Sequence, residues 1–194
     1  MRQMFPLIIF MAACNTPAPE ENPKNVVITG SGHSSATTEG FDKHKFSCCD
    51  QASLTQVVGA YVALSEAMAA DDLNASRAAS TRLAETSLTA AGDTNLSEDE
   101  QAALTAMNTL LVPWASDDLE GMRADLSEVN GHIQPIAANH AGKADGSPVL
   151  TVVSAFCPMA PGRWLQAETG LRNPYYGAEM LTCGVFEPAT VAVK

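Results

Sequence analysis

The sequence predicts an all-α fold, an up-and-down antiparallel four-helix bundle closed by a C-terminal irregular or short β segment rich in Cys and Met. Three observations predict it. Between Ser53 and Ile136 the chain repeats apolar residues at helical spacing in four stretches, short turns with capping residues separate these stretches, and the periodicity changes after Gly142. In the first stretch Leu54, Val57, Val58, Tyr61, Leu64 and Met68 fall on one face, and Ser53-Leu54-Thr55-Gln56 has the form of a capping box. Asp71-Asp72 ends that helix or restarts the next, because acidic side chains suit the positive end of a helix dipole. A weaker helix follows through Leu73, Ala79, Leu83 and Leu88, and Gly92-Asp93-Thr94-Asn95 supplies a turn. Ser97-Glu98-Asp99-Glu100 is a second capping box, ahead of Leu104, Met107, Leu111 and Trp114. Pro113 lacks an amide donor and should end or kink that third helix. In the fourth, Leu119, Met122, Leu126, Val129, Ile133 and Ile136 form a regular seam, whose end Gly131 and Pro135 leave uncertain. Four segments with short turns make a bundle. The Met and aromatic residues in these seams read as core, and His132 and His140 as surface or capping residues.

Three parts are expected: a signal peptide over residues 1–13, a lipid anchor and flexible tether over 14–50, and the folded body over 51–194. Arg2, an apolar run from Met4 to Met11, and the small residues Ala12 and Ala13 before Cys14 have the order of a secretory leader. Small residues directly before a cysteine resemble a bacterial lipobox, with Cys14 as the acylated first residue of the mature protein. That places the protein on the periplasmic side of a bacterial membrane, the outer membrane preferred, held by its lipid alone. Pro17, Pro19, Pro23, Gly30, Gly32 and Gly40 mark the tether, although Val26-Val27-Ile28-Thr29 could form a brief strand.

The 194-residue chain carries 22 Asp and Glu against 11 Lys and Arg, a formal charge of −11. A surplus of that size repels phosphate backbones, so nucleic acid is excluded as a partner. Enzyme motifs are missing too: the sequence has no Gly-rich phosphate loop, no HExxH and no GxSxG. Its acidic pairs stand at helix starts, where capping explains them. The expected activity is binding, not catalysis.

Chemistry concentrates at the C-terminal end. Val149-Leu150-Thr151-Val152-Val153 reads as a strand running into Phe156-Cys157-Pro158-Met159. Cys157 and Met159 are two apart, on one side of an extended segment, whereas Met180 and Cys183 are three apart, on one face of a helical turn. Two thiolates with two thioethers would select a soft ion, Cu(I) above all. The competing reading is a Cys157–Cys183 disulfide in an oxidising compartment, with Met159 and Met180 as ordinary packing residues. The two stand close to even, and the Met residues flanking the Cys residues tilt the balance toward metal. His44, Cys48 and Cys49 form a possible second metal site, since adjacent cysteines seldom pair with each other. Trp164, Tyr175 and Tyr176 are candidates for contact with a protein partner.

Phe-Cys-Pro-Met-Ala at 156–160, Trp-Leu-Gln at 164–166, Arg-Asn-Pro-Tyr-Tyr-Gly at 172–177 and Met-Leu-Thr-Cys-Gly at 180–184 resemble the signature of domain of unknown function 3347. That domain occurs in exported bacterial proteins and on adaptors of heavy-metal efflux pumps of the CusB type. The resemblance runs from about Gln51 to the end and implies a helical bundle closed by this segment. It also implies a link to copper or related metals, and a periplasmic or efflux protein as partner.

Overall fold

The computed structural model describes residues 46–142, 150–167 and 170–187. Within these the chain is mostly helical, with a small antiparallel sheet. Strand β1 (Phe46–Cys48) leads into helices α1 (Ala52–Ala69), α2 (Leu73–Ala91), α3 (Glu98–Leu111) and α4 (Leu119–Asn139). Strands β2 (Leu150–Phe156), β3 (Arg163–Gln166) and β4 (Val185–Glu187) follow. Each helix packs on the next in sequence, and α1 also touches α4. The seams named above form the core: Leu54, Tyr61, Met68, Leu104, Met107, Trp114, Met122, Leu126 and Ile133 are all buried.

Helix boundaries follow local chemistry. Asp72 caps α2 by accepting the Ala75 amide, and the Ser97–Glu100 box is complete at the start of α3. Pro113 ends α3 in a 3-10 turn over Val112–Ala115. One expectation fails. Gln51, not Ser53, stands at the start of α1, and the Ser53 hydroxyl instead donates to Asp93 at 2.9 Å across to the α2–α3 turn. Helix α4 runs through Gly131 and Pro135 to Asn139. Proline's clash is with the carbonyl four residues back, and there Gly131 has no side chain to resist the adjustment. Leu88 also departs from its expected face, at 57% exposed, while α2 buries the small residues Ser76, Ser80, Ala84 and Ser87.

The sheet is more than a C-terminal segment. β1 precedes every helix yet pairs antiparallel with β2, Phe46 opposite Val152 and Cys48 opposite Leu150. The rest of β2 pairs antiparallel with β3 and with β4. β3 packs on α1 and α4. On β2–β4, Arg163 lies over the Phe156 ring at 5.2 Å and pairs with Glu187 at 2.5 Å. His140, at the end of α4, is buried, with Nδ1 2.7 Å from Asp50 and Nε2 3.0 Å from Glu100. It thus ties the end of α4 to the approach to α1 and to the first turn of α3.

Candidate functional site

The C-terminal stretch is organised by two buried amides. Gln166, at the end of β3, accepts the Trp164 indole N–H at 2.9 Å and the Arg172 amide at 3.2 Å, and donates to the Gly170 carbonyl at 2.6 Å. Asn173 has no solvent exposure. Its backbone N–H donates to Leu181, its side-chain amide donates to the Cys183 carbonyl, and its side-chain oxygen accepts the Tyr175 amide. One residue thereby draws the 180–183 segment onto the 173–177 turn. Gly184 (φ +143°) completes the approach, because a Cβ there would come within 2.8 Å of the Phe156 carbonyl and 3.0 Å of the Trp164 ring. The chain can pass the end of β2 only as glycine.

These contacts bring Cys183 to Cys157. The two are joined as a disulfide with Cα atoms 5.8 Å apart, inside the ordinary range. Cys157 is fully buried and Cys183 half-buried. Met159 is 66% exposed on the turn between β2 and β3, and Met180 is half-buried. The Tyr176 hydroxyl donates to the Met159 carbonyl, so that turn and the 174–176 turn are neighbours. An oxidised pair offers no thiolate, and in this state the two sulfurs do not make a soft-ion site.

Cys48 and Cys49 are likewise joined, to each other, with both residues buried and Cα atoms 3.0 Å apart. This departs from the expectation that adjacent cysteines stay separate, and it leaves no thiolate at the second candidate site. His44 and Cys14 lie outside the described residues. Among the described residues no group of three or more His, Cys, Asp and Glu side chains is arranged to hold a metal ion. None of the helices there is long and apolar enough to cross a membrane.

Of the three aromatic candidates for partner contact, Trp164 and Tyr175 are core residues. Their rings meet edge-on with centroids 6.3 Å apart. The Tyr175 hydroxyl accepts from Asn130 at 2.6 Å and donates to the Arg163 carbonyl at 3.1 Å. Burial pushes this phenol up to about 12. Tyr176 alone is partly open to solvent.

Sequence reasoning missed the latch beside this segment. Asp71, in the turn between α1 and α2, has a positive φ of 56°. Its carboxylate accepts the Arg123 guanidinium at 2.5 Å and the Ala178 amide at 2.9 Å. Arg123 also donates to the Met68 carbonyl at 2.7 Å and the Pro174 carbonyl at 2.9 Å. One guanidinium therefore fastens the α1–α2 turn, α4 and the C-terminal segment together. Hydrogen bonds from Arg123 and Ala178 hold the Asp71 carboxyl below the usual range. No spacing rule links residues 71, 123 and 174: Asp71 reads as a helix boundary and Pro174 as part of the 172–177 motif.

No family model, curated protein or solved structure matches the chain.

Proposed function

We propose that this chain is an exported module, tethered to a bacterial membrane by an acylated Cys14, that acts by binding a protein partner. The bond between Cys157 and the Cys183 segment, with Cys157 in the hydrophobic core, carries this reading. A buried bond of this kind suits an oxidising compartment, the same destination that the leader implies. The helices are read as an up-and-down antiparallel bundle that supports the stapled segment. Met159 and Tyr176, neighbours through the Tyr176 hydroxyl, form its outward face. The test is thiol counting and intact mass on protein from an oxidising compartment, without reductant. The body should lack two hydrogens for each of its two bonds, one of them between Cys157 and Cys183. Free thiols at these two positions would overturn the reading.

The exposure of Met159, two residues from Cys157 in the chain, favours a second reading. Reduced by a dithiol, Cys157 and Cys183 would join Met159 and Met180 as ligands for Cu(I), for buffering, tolerance or hand-off to an efflux partner. An anaerobic Cu(I) titration of the reduced protein tests this. Cys157→Ser should greatly weaken binding, and unchanged affinity removes the site.

A further inference from the structure

We propose that the cleft beside the Asp71–Arg123 latch is a binding site for an alkylammonium group, either a free diamine or a lysine side chain. The cleft has a volume of about 680 Å³ and is lined by Asp71, Glu120, Arg123, Tyr175, Tyr176 and Glu179. That volume lies within the range of small-molecule sites. Three separated parts of the chain build it, and the bonds of Arg123 to Met68, Asp71 and Pro174 fix its walls before any ligand arrives.

The polar groups of the lining divide into spent and available. Asp71 is occupied by Arg123 and Ala178. The Tyr175 hydroxyl is occupied by Asn130 and Arg163, and the Tyr176 hydroxyl by Met159. The carboxylates of Glu120 and Glu179 are exposed and pair with no other described residue. Three carboxylates against one guanidinium leave the lining net negative by two charges. A cation is therefore the favoured guest. A metal ion is a poorer one, since among the described residues no group of three or more His, Cys, Asp and Glu side chains is arranged to hold it. An ammonium needs only a few acceptors, and Tyr176, partly open to solvent, offers an apolar and cation–π surface that suits its carbon stem. The site depends neither on the thiol state of the cysteines nor on metal capture.

Calorimetric titration of the folded, oxidised protein with 1,5-diaminopentane and with N-acetyl-lysine amide tests the proposal. Saturable binding of at least one probe is expected. The double variant Glu120→Gln/Glu179→Gln should weaken it by about tenfold with an unchanged melting temperature, since both residues are exposed. The control Glu85→Gln/Glu98→Gln removes two exposed charges outside the lining and should leave affinity as it was. Tighter binding of the diamine identifies a free amine as the guest, and tighter binding of the lysine amide identifies a protein side chain. No saturable binding of either probe overturns the proposal, as does an equal loss in the control, which would mark the effect as bulk charge.

Discussion

Arg123→Met keeps most of the side-chain volume and removes the guanidinium. Three interactions go with it: those to the Met68 carbonyl, the Pro174 carbonyl and Asp71. Each carbonyl bond is taken at about 1 kcal/mol, the value for an ordinary hydrogen bond and below the range for a charged donor, because Arg123 is partly exposed. The Asp71 side chain is 40% exposed, so solvent screening holds the ion pair below ~1 kcal/mol. The expected loss is about 2–3 kcal/mol, read as a lower urea midpoint with an unchanged slope. Acid adds a signature. Asp71 has a depressed folded-state pKa, so its contribution is present above the unfolded aspartate value of about 4 and disappears as pH falls through the folded value. In Arg123→Met most of that acid dependence should vanish. Asp71→Asn, which tolerates the positive φ, should cost less than the arginine variant. A stability of Arg123→Met within about 0.5 kcal/mol of wild type would refute the claim that one guanidinium fastens the C-terminal segment.

Other substitutions probe other joints. Cys157→Ala/Cys183→Ala opens a bond with a sequence separation of 26, and against oxidised wild type it should cost about 3 kcal/mol in denaturant. Gly177→Ala forces a left-handed φ of +54° on a residue whose Cβ would collide with Asp71 and Arg123. A loss of about 3 kcal/mol is expected in thermal melts, from strain and broken latch contacts together. Ser97→Ala removes one half of the α3 capping box and should lower stability by about 1 kcal/mol, with faster amide exchange at Glu100.

The helices were legible because burial imposes a period on the sequence, and the Leu104, Met107, Leu111 and Trp114 row is buried as its spacing implies. Reading failed where a local pattern had a distant competitor. The Ser53 hydroxyl goes to Asp93 and not to its own helix. β3 lacks alternation, since Trp164, Leu165 and Gln166 are all buried. β1 is too short to announce itself, and its partner lies beyond all four helices. At the candidate site the cysteine pairing was one of two readings left open by residue type. The elements that decide it, Asn173 and Gly184, act through backbone approaches that no spacing encodes. The latch, built from residues 71, 123, 174 and 178, was invisible for the same reason.

Pairing β1 with β2 sets an order of assembly for a chain made from its N-terminal end. The Phe46–Val152 register joins segments roughly a hundred residues apart, so β1 waits for its neighbour until every helix has emerged. The helices have mostly sequential contacts and can begin to collapse during synthesis. A chain stalled before Leu150 would leave β1 without the strand that pairs with it, an edge open to pairing with another chain.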